Sequence, residues 1–160
     1  MKKYHVAPAQ INLEITETAA AHSDMLENNI KILHKQGIEF SLDDYGSGYS
    51  NTDYLFRFPF RIVKIDKTIL WEAFKNEKAM IALRNTIRMI KELGLEIVVE
   101  GVENQEYVDY LTEQYCDYLQ GYFYSKPIPD RDFLELLRRE NAQYYAERFS
   151  KNELSDIITT

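Results

Sequence analysis

Ile38-Glu39-Phe40-Ser41-Leu42-Asp43-Asp44-Tyr45-Gly46-Ser47-Gly48-Tyr49-Ser50-Asn51 passes from an apolar run into two adjacent carboxylates and then into a glycine- and serine-rich loop. Ile38 to Asp43 reads as a strand. Adjacent carboxylates at a strand end can grip a hard cation, because Mg²⁺ and Mn²⁺ prefer oxygen ligands. Gly46 and Gly48 let the backbone turn tightly beneath them. The same residues also fit an Asx-type turn, in which Asp side chains accept hydrogen bonds from nearby backbone N–H groups. They do not fit a calcium EF-hand loop, which needs acidic ligands at alternate positions and a terminal Glu.

Outward from this stretch, short apolar runs alternate with segments of helical period. Ile11 to Thr16, Arg61 to Ile65, Leu95 to Val99 and Cys116 to Leu119 read as further strands, and Leu95 to Val99 is apolar enough to be buried on both faces. Helical spacing runs from about Ser23 to Gln36, stopped by Gly37, and from about Glu77 to Leu93, where Ile81, Ile87, Ile90 and Leu93 share the apolar set. Thr52 to Phe58 is a short helix before Pro59, and Asn104 to Glu113 is another. Asp130 caps a last core helix packing Phe133, Leu136 and Leu137. Strand and helix alternate about every 30 residues, which predicts a parallel sheet with crossover helices. Glu14, Asp43, Asp44, Lys64, Asp66, Glu100 and Gln120 fall at or near the C-terminal ends of these strands. Barrel enzymes build their sites on that rim from several strands, whereas an open doubly wound sheet uses one switch point. The expected fold is therefore α/β, a TIM-barrel-like parallel barrel. With about five strands against the usual eight, it is expected to be incomplete, with the N-terminal strands absent and a strand edge exposed.

Composition bounds the function. The 160 residues fit one domain, read as residues 1–140 with a polar C-terminal tail at 141–160. The formal charge of −7 argues against general DNA or RNA binding, which needs basic surface. It leaves room for a phosphorylated ligand, because bound cations reverse the local field. No apolar run reaches the roughly 20 residues of a membrane span, and the first residues lack a signal peptide's apolar stretch. The single cysteine, Cys116, allows no internal disulfide, which suits a reducing cytoplasm.

Glu14 and Glu100 sit in or just after apolar strands, where a charge is costly unless paired or bound to metal. Each can be a cation ligand or half of a structural salt bridge with Lys64. Lys64 can be that ion-pair partner or a group that positions water. His5, His22 and His34 share no ligand spacing and read as surface residues. Cys116 reads as a small buried hydrophobe, Trp71 as packing between helices, and the tyrosines at 107, 110, 115, 118, 122 and 124 mostly as helix packing and barrel wall.

Five segments, in order, resemble one family. Leu13-Glu14-Ile15-Thr16-Glu17-Thr18 is similar to the E-x-T-E segment of EAL domains. Asp43 to Ser50 is similar to their D-D-F-G-T-G-Y-S loop, with Tyr45 for Phe and Ser47 for Thr. Lys64-Ile65-Asp66-Lys67 matches K-I-D-K. Val99-Glu100-Gly101-Val102-Glu103-Asn104 matches V-x-E-G-V-E-T, with Asn104 for Thr. Gln120 to Pro127 matches Q-G-Y-x-x-S-x-P.

The resemblance implies metal-dependent hydrolysis of cyclic di-GMP to linear pGpG in bacterial signalling. It implies two divalent cations, Mg²⁺ or Mn²⁺, on Glu14, Asp43, Asp44 and Glu100, with Asp43 bridging. Lys64 would hold the attacking water, Glu103 would support the metal shell, and Gln120 would assist the nucleophile and, with Pro127, meet substrate. Glu17 would anchor the loop containing Gly46, Ser47 and Gly48. The Asp43–Ser50 loop would also help form a homodimer, in a cytoplasmic domain whose parent can be membrane-tethered. The family's Glu-Ala-Leu strand and the strand supplying an Asn ligand have no counterpart here. The expectation is therefore a truncated domain whose isolated chain turns over cyclic di-GMP at least about 100-fold more slowly than a complete one. The alternative is a catalytically silent EAL-type module that binds cyclic di-GMP or a protein partner.

Overall fold

A computed structural model gives the fold and describes residues 6–20, 24–48 and 52–148, the side chains of 24, 25 and 142–148 excepted. The chain divides into two compact units, Met1–Tyr124 and Ser125–Thr160. The first unit is a five-stranded, all-parallel sheet in the order β1-β2-β3-β4-β5. Its strands are β1 (Asn12–Thr16), β2 (Glu39–Tyr45), β3 (Ile62–Ile65), β4 (Glu96–Val99) and β5 (Tyr118–Leu119).

The strand order decides between barrel and doubly wound sheet. A doubly wound sheet reverses direction at a switch point, and helices then cover both faces. Here every crossover steps the same way, and crossovers of one hand place all their helices on one side. Burial agrees: Phe40, Leu42, Val63, Ile65, Ile97 and Val99 are inaccessible on the helix side. On the other face Ile62, Lys64 and Val98 are only partly buried, and Asn12 and Glu14 are exposed. The sheet is the wall of a TIM-type barrel, with β1 and β5 as its outer strands. Leu95–Val99 is accordingly not buried on both faces as its composition predicts, because Val98 looks into the open side.

The helices of this unit among the described residues are α1 (Glu17–Ala20), α2 (Asp24–His34), α3 (Tyr54–Arg57), α4 (Lys67–Ala73), α5 (Glu77–Glu92) and α6 (Gln105–Glu113). Short polar side chains start three of them: Asp66 accepts from Thr68 N–H (2.8 Å), Asn76 from Lys78 N–H (2.9 Å) and Asn104 from Tyr107 N–H (3.0 Å). α5 packs through Leu83, Ile87 and Ile90, while Ile81 and Leu93 are exposed. The apolar set read from the sequence was thus too wide. Six residues separate Ile81 from Ile87, which puts them about 120° apart around a helix of 3.6 residues per turn. Leu83 is four residues from Ile87 and shares its face.

At the N-terminal end of the strands, Arg61 Nη1 lies 2.7 Å from Glu39 and Nη2 lies 3.2 Å from Glu96, tying β2, β3 and β4 together. That end is closed by structural charge pairs and leaves the opposite rim for chemistry. Tyr107 and Tyr110 pack on Phe74, with ring centroids at 4.5 and 5.6 Å. Tyr115, Tyr118, Tyr122 and Tyr124 are exposed, contrary to the wall packing expected of them. Tyr115, Tyr122 and Tyr124 lie in the turns that follow α6 and β5, and Tyr118 projects from a two-residue strand with no strand beyond it among the described residues. The second unit contains α7 (Asp130–Arg148). Its Phe133 and Leu137 are exposed and Leu136 is partly buried, so it is not the core helix its apolar residues suggested. No helix among the described residues is long and apolar enough to cross a membrane.

Candidate active site

The rim is shaped first by an irregularity in β2. Leu42 pairs with Val63 and Tyr45 with Ile65, so Asp43 and Asp44 together stand opposite Lys64. This is a β-bulge, which re-aims side chains at the end of a strand. Asp44 carries it with a φ of +56°, a left-handed conformation that Asp tolerates better than most residues. In a regular strand Asp44 would turn toward the helices. The bulge instead restores the alternation at Tyr45, which is buried, and leaves both carboxylates at the strand end. Burial raises the Tyr45 phenol above its usual range, and the nearby charge of Glu17 adds to this.

Lys64 rises from β3 on the open face into a ring of acids. Its Nζ lies 3.0 Å from Glu14 Oε1, 2.8 Å from Asp43 Oδ1 and 2.9 Å from Glu100 Oε1, bringing together residues of three other strand ends. The Lys64 side chain is 11% exposed. Burial alone would favour its neutral form. The contacts with Asp43, Glu100 and Glu14 outweigh that and raise its pKa above the ordinary lysine value. Asp43 Oδ1 is itself buried and has no aligned hydrogen-bond donor, so its contact with Lys64 is one of charge. An acceptor oxygen facing a cation without a directed bond is free to meet another cation. Gln120 Nε2, just beyond β5, reaches Glu100 Oε1 at 3.4 Å.

A second grouping overlaps the first. Carboxylate oxygens of Asp44, Asp66 and Glu100 lie within 4.8 Å of one another. Burial raises the Asp44 pKa, and the charges of Asp43 and Asp66 push the same way. Asp66 is buried and caps α4, where its Oδ1 accepts from the Thr68 N–H and from the Thr68 hydroxyl. The sequence placed Asp66 on the rim but left it out of the ligand set. The signal was available: it follows Ile65 at the end of β3, as Glu100 follows Val99 at the end of β4. All donors here are carboxylate oxygens, the chemistry that hard divalent cations select. The residues present therefore fit Mg²⁺ or Mn²⁺.

Glu17 starts α1 directly after β1 and is buried. Its Oε2 accepts from the Gly46 N–H at 3.1 Å, and the Ser47 N–H donates to Asp44 O at 3.0 Å. The loop is thus held at its root. Gly48 is the last described residue there, and Tyr49 and Ser50 lie outside the described residues.

Beside Glu100 opens a cleft of about 290 Å³ lined by Lys67, Trp71, Glu103, Gln120 and Tyr122. Gly121 makes the close approach that forms its floor, since a Cβ there would stand 2.0 Å from Val102 O. Trp71 was expected between helices. It packs against the core from α4 and also reaches the rim, where its indole N–H donates to Gly101 O at 2.9 Å. Glu103 is exposed in this cleft and does not join the carboxylate groupings. Pro127 belongs to the second unit, in the segment that precedes α7. Of the three histidines, His34 is exposed, and His5 and His22 lie outside the described residues. Cys116 is partly buried, and burial pushes its thiol up to about 12, so it stays protonated.

A family model described as "EAL domain" matches residues 1–127. The chain is 34% identical over 137 residues to the cyclic di-GMP phosphodiesterase RocR of Pseudomonas aeruginosa, a match covering 84% of this chain and 35% of that protein. The chain thus spans about a third of that relative's length. Among solved structures, the PaMucR phosphodiesterase in complex with c-di-GMP superposes with a TM-score of 0.77 at 30% identity, covering 82% of this chain and 54% of the other. The manganese/cy-diGMP complex of Klebsiella pneumoniae BlrP1 gives 0.73 at 28% identity, covering 79% and 32%.

Proposed function

The chain belongs to the EAL domain family, and from that premise we propose that it forms part of a phosphodiesterase site that opens cyclic di-GMP to linear pGpG with two divalent cations, Mg²⁺ or Mn²⁺. The observation that carries this reading is the convergence of Glu14, Asp43 and Glu100 on Lys64 from separate strands, with Asp44 and Asp66 against Glu100. Glu14, Asp43, Asp44 and Glu100 would hold the cations, with Asp66 as an added candidate. Cations held there would supply hydroxide at neutral pH and offset charge on the phosphodiester.

Without a bound cation the neighbouring carboxylates hold Lys64 in its charged form, and its ammonium would donate to water or phosphate oxygen. Gln120 orients the Glu100 carboxylate and meets substrate. Glu103 supports the metal shell from the cleft. Glu17 holds the loop of Gly46, Ser47 and Gly48, and the Asp43–Ser50 region carries a homodimer contact. The setting we infer is cytoplasmic.

The test is turnover of cyclic di-GMP with Mn²⁺ or Mg²⁺, measured as linear dinucleotide, by this chain and by a fusion that closes its open sheet with further barrel strands. Asp43→Asn should lower turnover by about 100-fold or more, since it removes a charged metal ligand. Turnover indifferent to Asp43→Asn would refute the assignment. Tight binding of cyclic di-GMP with no turnover in either protein would leave a ligand-binding module.

A further inference from the structure

The segment that carries Glu100 and Glu103 leaves β4 with its backbone tied to β3, to the turn after β5 and to α4. The Glu100 N–H donates to Ile65 O of β3 at 3.1 Å, and the Val102 N–H donates to Gln120 O at 3.1 Å. The tie to α4 comes from a side chain: Trp71 Nε1 donates to Gly101 O at 2.9 Å. It grips a peptide that has little steric restraint of its own. Gly101 has a φ of +74°, and without a Cβ its flanking peptides can rotate through conformations closed to other residues. The indole is seated from the other side as well, with Lys67 Nζ 5.6 Å from its ring centroid. A Cβ at residue 101 would lie 2.3 Å from Lys67 Cβ and 3.1 Å from the indole nitrogen, so backbone and α4 are in direct contact there.

We propose that Trp71 is a positioning residue for the rim. Its N–H fixes the peptide after Gly101 and thereby the aim of the Glu100 carboxylate toward Lys64, Asp44 and Asp66. This rests on the reading of Glu100 as a cation ligand. Groups one bond network removed from a metal ligand set its orientation, and losing one commonly weakens metal binding 10–100-fold. Trp71→Phe keeps an aromatic ring beside Lys67, deletes the donor and removes one ring of the indole, so protection in the α5 core serves as the control for lost packing.

Two measurements on the full chain test the proposal. By calorimetric titration, Trp71→Phe should weaken Mn²⁺ binding about tenfold. The same change in a Glu100→Gln background should add no further loss, because both substitutions act through one group. By amide hydrogen exchange, protection at Glu100 and Val102 should fall about tenfold in Trp71→Phe while the core of α5 keeps its protection. Equal loss of Mn²⁺ affinity in both backgrounds would overturn the proposal, as would unchanged protection at Glu100 and Val102. If the unsubstituted chain binds no Mn²⁺, the cation reading fails, and the exchange data then decide the positioning role alone.

Discussion

Gly121→Ala should destabilise the first unit by roughly 3 kcal/mol, combining overpacking with displaced hydrogen bonds. The added methyl would stand 2.0 Å from Val102 O, 2.4 Å from Val102 N and 2.6 Å from Val102 C, all backbone atoms that no rotamer change can move. Making room separates the turn after β5 from the loop after β4. That strains the bonds from Val102 N–H to Gln120 O and from Phe123 N–H to Val102 O, at 3.1 and 3.0 Å. Gly48→Ala is the control, because a Cβ there has nothing within 4 Å among the described residues. It should change stability by no more than about 0.5 kcal/mol. Urea denaturation that finds the two substitutions equivalent would contradict the packing described for the Gln120 turn.

Lys64→Met should also be costly, and through charge. It leaves Glu14, Asp43 and Glu100 crowded together without their common cation. Breaking a fully buried pair costs about 3–5 kcal/mol. Here the Glu14 side chain is 52% exposed, so water screens part of the repulsion and roughly 2 kcal/mol is the expected loss. The pH dependence has a definite sign. The folded-state pKa of Lys64 is raised, so its contribution is fully present below the unfolded lysine value of about 10.4 and fades as pH rises through the folded value above it. The gap between wild type and Lys64→Met should therefore hold steady across neutral pH and close only in strong alkali. Mn²⁺ should raise the thermal midpoint of the variant more than that of the wild type, because the ion then supplies the missing positive charge. A variant as stable as wild type would show that the three contacts contribute nothing net.

The parallel sheet was legible because strand and helix alternate about every 30 residues, and the barrel because the strands end in charge. Apolar runs closing on Glu14, Asp43, Lys64 and Glu100 can be satisfied together only if those ends meet at one rim, and the observed register brings them there. Features that depend on backbone geometry were less visible. The bulge at Asp43 and Asp44 adds a residue to β2 without altering its apolar pattern, so the strand was read as ending at Asp43 when it runs to Tyr45. α4 went unread because its first turn, Lys67-Thr68-Ile69, follows a strand with only Asp66 between them and offers no break in composition. Asp66 was seen as a strand-end acid, and its position after Ile65, matching that of Glu100 after Val99, was the available signal for its place near Asp44 and Glu100. The polar contact of Trp71 was missed while its packing was read. A tryptophan on a short helix has an obvious apolar use, and the carbonyl that takes its N–H is 30 residues away in sequence.

The central claim is that the rim carboxylates of this chain hold hard divalent cations, and a Mn²⁺ titration followed by calorimetry tests it most directly. The purified chain should show saturable binding. Asp44→Asn and Glu100→Gln should each weaken it at least about tenfold, whereas His34→Ala, an exposed side chain away from the rim, should leave it unchanged. No saturable binding by the unsubstituted chain, or equal binding by all four proteins, would contradict the account.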